Sequence, residues 1–337
     1  MKYFITGTAG FIGFHLAKLL LSEGHDVFGY DGLTDYYDVA LKQRRHSVLL
    51  QSPNFDCSIG KLENYDCLEK AINGFEPEVI IHLAAQAGVR YSLENPRAYI
   101  DSNIVGTFNV MELSKKYEVS HLMMASTSSV YGANEEMPFH EMQKADTPLT
   151  IYAATKKATE SLAHAHSHLW NIPTTMFRFF TVYGPFGRPD LALYKFVDAI
   201  LDGREIDVYN HGEMYRDFTY VDDLVRAIYL LSTKLPQHPS ERNLEIVPKD
   251  NLSPVAPFRV VNIGNSQKVK LLTFIEAIEK TLGIKARKNL MDMQKGDVPA
   301  TWADADLLFN LTGYRPKTKF EDGIKEFVRW FRDYYKK

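Results

Sequence analysis

Along the first half of the chain, short apolar runs alternate with stretches whose apolar residues recur at helical spacing. KYFI is followed by Phe14 to Ser22, DVFGY by Leu41 to Leu50, and EVIIHLA by Pro96 to Lys116; HLMMAS, the helical stretch Ile151 to His168 and TTMFRFF continue the alternation. Strands separated by helices in this order build a parallel sheet covered on both faces. Strands buried on both faces read as unbroken apolar runs, as these do, and about six of them are expected. After Phe180 the texture changes to segments punctuated by Gly and Pro, such as VYGPFGRPD, with shorter elements between them. The expected division is therefore residues 1–180 and 181–337, with part of 215–265 returning to the first unit. Pro236 to Pro257, rich in Pro, Ser, Asn and charge, reads as a long surface loop.

Composition narrows the function classes. A chain of 337 residues with 45% apolar content can bury one large or two modest cores. Its formal net charge of -3 provides no global attraction to nucleic acid or an anionic membrane, so an anionic ligand must be met by locally placed arginines. The opening MKYFITGTAGFIG has no basic stretch followed by an apolar one, and no run of about 18 apolar residues appears, so a cytoplasmic protein is expected. Cys57 and Cys67 lack the spacing of a disulfide framework or zinc site. His164, His166 and His168, two apart on a helix, fall on different faces and read as helix surface; no metal is expected.

The first strand runs directly into ITGTAGFIG. Gly7, Gly10 and Gly13 let the backbone turn tightly and approach a pyrophosphate at the N-terminus of the following helix. Asp31 ends the second strand 18 residues after Gly13, where a carboxylate accepts hydrogen bonds from ribose hydroxyls and repels a 2′-phosphate, which favours NAD over NADP. Ala84 and Ala85, at the end of the fourth strand, leave room for a flat cofactor. The expected fold class is α/β, a Rossmann-type doubly wound parallel sheet followed by a smaller C-terminal substrate-binding domain.

A catalytic pair follows. Tyr152 and Lys156 stand four apart, share a helix face, and place an ammonium near a phenol. A phenol of pKa about 10 needs such help to act as a base near neutrality. Upstream, ASTSSVYG ends the fifth strand, where Thr127 can hydrogen-bond an alcohol under oxidation and Ser128 and Ser129 add donors.

The glycine motif, the strand-end hydroxyls and the YxxxK pair 25 residues beyond Thr127 resemble the extended short-chain dehydrogenase/reductase family, which includes nucleotide-sugar epimerases and dehydratases. More narrowly, DYYDVALK, AAQAGVRYSLENPRAY, RFFTVYGPFGRPD, GEMYRDFTYVDD, VNIGNS and GDVPATWAD are similar to UDP-glucuronate 4-epimerases. This resemblance implies catalysis by Thr127, Tyr152 and Lys156. It also implies NAD contacts at Gly7, Gly10, Phe11, Ile12, Gly13, Asp31, Leu62, Ala84, Asn103 and Lys156, and a homodimer formed through the helices around Pro96 to Lys116 and Ile151 to His168.

Dehydratases resemble TDEVYG and decarboxylases TSEVYG, with a carboxyl group for an extra proton transfer, whereas this chain has TSSVYG. Thr181 stands where epimerases of neutral hexoses usually carry Asn. Thr127, Ser128, Ser129 and Thr181 together can hold a carboxylate without a buried counter-charge. Arg188 and Arg216 are the candidates for the nucleotide diphosphate and its surroundings. Two positions depart from the family pattern: Lys61 replaces an aspartate and Gln294 a phosphate-binding arginine. The expected activity is NAD-dependent 4-epimerisation of UDP-glucuronate. A decarboxylase or a neutral UDP-hexose epimerase is the enzymatic alternative, and an NAD-sensing regulator the non-enzymatic one.

Overall fold

A computed structural model describes residues 1–241 and 247–337. Among the described residues the large sheet has seven strands, all parallel to their neighbours. They are β1 (Lys2–Thr6), β2 (Asp26–Asp31), β3 (Phe55–Ile59), β4 (Val79–His82), β5 (His121–Thr127), β6 (Thr174–Phe179) and a last strand, Phe258–Ile263. Across the sheet the order is Phe258–Ile263, β6, β5, β4, β1, β2, β3. The strand beyond the expected six arrives after the Pro236 to Pro257 stretch, of which residues 242–246 lie outside the described residues. Every residue of β5 and β6 is buried, the condition their apolar runs announced.

Helices cover both faces. On one, Leu16 and Leu20 of helix Phe11–Ser22 pack with Leu224 and Ile228 of Val221–Ser232 and with Leu307 and Leu308 of Asp306–Thr312. On the other, Leu68 and Ile72 of Tyr65–Phe75, Met111 and Leu113 of Thr107–Lys116, and Ala163 of Ile151–Trp170 complete the layer. Truncating one such fully buried leucine, for example Leu224→Ala, removes about 2–5 kcal/mol. A separate core gathers Phe196, Phe274, Phe327 and Phe331 from Ala192–Leu201, Leu271–Leu282 and Phe320–Tyr335. The chain thus passes back and forth between the two cores after Phe180.

Strand order reverses between β1 and β4, so their carboxyl ends open a crevice at the centre of the sheet. The helix Ile151–Trp170 borders it. The Thr150 side chain accepts from Ala153 N at 3.2 Å to start this helix, and Asn171, at φ 54°, ends it in a left-handed turn.

Two expectations change. His166 is buried rather than on the helix surface: it lies one turn beyond Ala163 on the inward face and packs on Trp170 at 4.5 Å. The segment from Pro96 to Lys116 is not one α-helix, because a π turn, Ile100–Gly106, separates Pro96–Tyr99 from Thr107–Lys116. At Gly106 an added Cβ would lie 2.5 Å from Leu62 Cβ, so only glycine lets this turn close on the neighbouring loop.

Candidate active site

The crevice deepens into one continuous cleft of about 1420 Å³ between the sheet and the second core. Single-ligand pockets span roughly 300–1,000 Å³, so this space accommodates a dinucleotide and a second ligand together.

At its floor, β1 ends in Gly7, whose φ of +85° favours glycine. A Cβ there would lie 2.9 Å from Ala84 N at the end of β4, and one on Gly13 would lie 2.1 Å from Gly7 O. Gly10 caps helix Phe11–Ser22 without a side-chain bond, and no acidic residue occupies the first turn. Gly10 N closes the turn on Gly7 O at 3.0 Å, and the N–H groups of Phe11 and Ile12, with the helix dipole, face the cleft as a cradle for a diphosphate. Asp31 accepts from Ala9 N at 2.9 Å and Leu33 N at 2.8 Å, which aims its carboxylate and leaves lone pairs for ribose hydroxyls. Leu62, Ala84 and Ala85 form the apolar walls. These residues suit a dinucleotide lacking a 2′-phosphate.

Beyond the cradle, Tyr152 and Lys156 enter from the long helix and Thr127 from the end of β5. Burial pushes the Tyr152 phenol up, while a hydrogen bond with Thr127 and the charge of Arg188 pull it back. Arg188 is thus a cation acting on the phenol that the spacing of Tyr152 and Lys156 did not reveal. Lys156 is itself drawn down to about 8 by burial, against the opposing charge of Glu160. Burial, joined by the charge of Lys156, holds His82 down to about 3, leaving a neutral imidazole between Thr6 and Thr107. Thr127 Oγ1 donates to Ser129 Oγ and accepts from Ser129 N, both at 3.2 Å, so these two hydroxyls are held together. Ser128 lines the same wall, and Thr181 faces the cleft from Thr181–Tyr183, a strand paired with Phe218–Tyr220.

Arg188 is clamped by Asp190 through two hydrogen bonds, 2.9 and 2.5 Å. Arg216 sits on the central strand of the small sheet formed by Val269–Lys270, Tyr215–Arg216 and Ala300–Thr301. Its nearest carboxylate, Asp297, is 3.7 Å away, and burial lowers the pKa of this arginine, leaving capacity for an anion. The same Asp297 lies 3.7 Å from Arg90, a cleft residue for which the sequence suggested no role. Its only signal was membership of the AGVRYSLENP segment.

One expected contact does not reach the cleft wall. Asn103 is fully buried, with Oδ1 accepting from Gln86 N at 2.8 Å and Nδ2 donating to Gln86 O and Thr155 Oγ1. It ties the cleft-lining loop after β4 to the catalytic helix. Lys61 does line the cleft, whereas Gln294 lies outside it, its Oε1 buried without a hydrogen-bond partner. Among the described residues, no group of three or more His, Cys, Asp or Glu could hold a metal ion, and no helix is long and apolar enough to cross a membrane.

Comparison with known proteins agrees with this geometry. Residues 3–246 match the NAD dependent epimerase/dehydratase family. A probable UDP-glucuronate 4-epimerase of Rhizobium meliloti is 57% identical over 340 residues, covering 100% of this chain and 98% of the relative. UDP-glucuronate 4-epimerase of Thermodesulfobacterium geofontis is 39% identical, covering 98% and 96%. The crystal structure of UDP-glucuronic acid 4-epimerase from Bacillus cereus, in complex with UDP-glucuronic acid and NAD, superposes with a TM-score of 0.87. It has 30% identity and covers 99% of this chain and 100% of that one. With the family matched over residues 3–246 and relatives matched over nearly their full length, the chain belongs to the NAD dependent epimerase/dehydratase family.

Proposed function

We infer that the protein catalyses NAD-dependent 4-epimerisation of UDP-glucuronate to UDP-galacturonate. The observation that carries this reading is the meeting, in one cleft, of the glycine cradle and Asp31 with Tyr152, Lys156 and the hydroxyls of Thr127, Ser128, Ser129 and Thr181. The names of the Rhizobium and Thermodesulfobacterium relatives and the ligands of the Bacillus structure support the choice of substrate.

Gly7, Gly10, Phe11, Ile12 and Gly13 would hold the NAD diphosphate, and Asp31 the adenosine ribose. Leu62, Ala84 and Ala85 would flank the flat rings, and Lys156 would meet the nicotinamide side. When bound, NAD supplies the acceptor, and then the donor, for the hydride at C4. Tyr152, as phenolate, accepts the O4 proton as that alcohol becomes a carbonyl, and returns it when the carbonyl is reduced on its other face. Thr127 holds O4 against the phenolate. Arg188 and Lys156 favour the ionised phenol by their charge. Arg216 and Arg90, flanking Asp297, suit the diphosphate of the sugar nucleotide.

A 4-ketouronate is a β-keto acid and loses carbon dioxide when its carboxylate bond aligns with the carbonyl π system. The group formed by Thr127, Ser128, Ser129 and Thr181 holds the carboxylate away from that alignment. Ser129, unlike a glutamate, cannot supply the extra proton transfer of a decarboxylase. Incubating the protein with UDP-glucuronate should yield UDP-galacturonate by anion-exchange chromatography; no product, even with added NAD, would sink the reading. Thr181→Ala should release more UDP-pentose than the parent, and an unchanged amount would remove the hydroxyl group's assigned role.

The protein is further proposed to pair as a homodimer. Ile100, Val105 and Phe108 on one segment, and Ile151 and Leu162 on the other, are apolar yet exposed. Phe108→Lys should halve the mass seen by light scattering.

A further inference from the structure

The DYYDVALK segment and the three residues after it contribute little to the chemistry above, yet they tie the two halves of the cleft together. Arg45 is fully buried. Its Nη1 donates to Ala9 O, inside the glycine turn, and to Tyr37 Oη, both at 2.7 Å. Its Nη2 donates to Phe186 O at 2.6 Å and Gly187 O at 3.5 Å, immediately before Arg188. Among the described residues Arg45 makes no ion pair, and its Nε has no hydrogen-bond partner. A buried guanidinium served only by carbonyls and one hydroxyl is costly, and stability alone does not account for it.

Both ends of this link bear on function. Ala9 also donates its own N–H, one peptide unit before the carbonyl that Arg45 holds, to Asp31, so this one residue joins the Arg45 link to the ribose-facing carboxylate. At the other end Phe186 has φ +55°, a conformation that costs a non-glycine residue of order 1–3 kcal/mol. The Arg45 bond to its carbonyl and the packing of its ring on Phe14, at 4.9 Å, hold it there. Two residues on, Arg188 is fixed by Asp190, which also accepts from Tyr36 Oη at 3.2 Å. His15 offers a second, lesser link, from the helix to Pro185 O at 2.9 Å.

We propose that Arg45 is a positioning residue that couples cofactor binding to sugar-nucleotide binding, by bridging the glycine turn and the strained Phe186–Gly187 segment that presents Arg188. A ligand that orders the glycine turn also orders the Ala9 carbonyl, and through Arg45 the segment leading to Arg188. The second ligand then meets a smaller ordering cost, so each tightens the other by the same factor. This inference rests on the NAD and UDP-sugar sites proposed above.

The test is calorimetric and requires no turnover: titrate UDP into protein free of dinucleotide and into protein reloaded with NAD, and take the ratio of dissociation constants. The parent should show tightening by NAD of about fivefold or more, and Arg45→Met a ratio near one. Arg45→Lys, which keeps the charge but can reach only part of the acceptor set, should fall between. Tyr36→Phe removes only the hydroxyl on Asp190. It should also lower the ratio, and should raise KM for UDP-glucuronate more than it changes kcat. A parent ratio near one, or a parental ratio retained in Arg45→Met, overturns the proposal. If Arg45→Met does not fold, retention of the parental ratio in both Arg45→Lys and Tyr36→Phe overturns it equally. A parent that binds neither NAD nor UDP would instead overturn the assigned activity, and this coupling with it.

Discussion

Replacing Lys156 by methionine should sharply slow catalysis and stabilise the fold. Lys156 is 3% exposed, and burial lowers it from its ordinary 10.5 to about 8, with Glu160 only partly opposing. The sign follows from linkage. Below pH 8 the lysine is protonated in both folded and unfolded chains, and the folded state bears the whole cost of a buried ammonium. Between about 8 and 10.5 the unfolded chain holds the extra proton, so stability rises with pH; above 10.5 both forms are neutral and the cost is gone. At 1.36 kcal/mol per pH unit, the gap between 10.5 and about 8 corresponds to about 3 kcal/mol. Methionine matches the length of the lysine stem and carries no charge, so NAD-free Lys156→Met should exceed the parent by up to about 3 kcal/mol at pH 7. That advantage should shrink through pH 9 and vanish near 10.5, while kcat falls by about 10²–10⁴. Guanidinium unfolding of NAD-free parent and variant at pH 7, 9 and 10.5 measures it. A gap that does not change with pH, or a variant weaker than the parent at pH 7, would refute the reasoning. The trade of stability for a charged base partner is common at catalytic positions.

Three further outcomes follow from the same geometry. Tyr152→Phe should lower kcat by about 10²–10⁴ while leaving UDP affinity within about twofold, since the phenol handles a proton rather than anchoring the nucleotide; a matching loss of affinity in calorimetry would contradict this. Gly13→Ala places a Cβ 2.1 Å from Gly7 O and should abolish measurable NAD binding and the thermal shift that NAD produces in the parent. Glu160→Gln leaves the buried Arg178 without the carboxylate that pairs with it at 2.9 and 2.8 Å, and should cost about 3–5 kcal/mol in denaturant unfolding; a loss under about 1 kcal/mol would show that the pair is not held as drawn.

Features set by local chain chemistry were legible from residue order alone. Apolar runs marked the central strands because a strand buried on both faces has no polar side to show. Gly7, Gly10 and Gly13 marked the cradle because backbone atoms approach too closely there for any Cβ. Tyr152 and Lys156 could be paired because a helix brings positions four apart onto one face. Features that depend on distant segments meeting were not legible. Helix Asp306–Thr312 returns to the first core by tertiary packing alone. Asn103 carries a polar side chain suited to a ligand, but its position inside the π turn spends that capacity on Gln86 and Thr155. Arg90 gains its place only when Asp297 folds beside it, more than two hundred residues away in the chain. Likewise the charge of Arg188, from a distant loop, reaches the Tyr152 phenol. Charge acts through space, and the distances that decide it exist only in the folded chain.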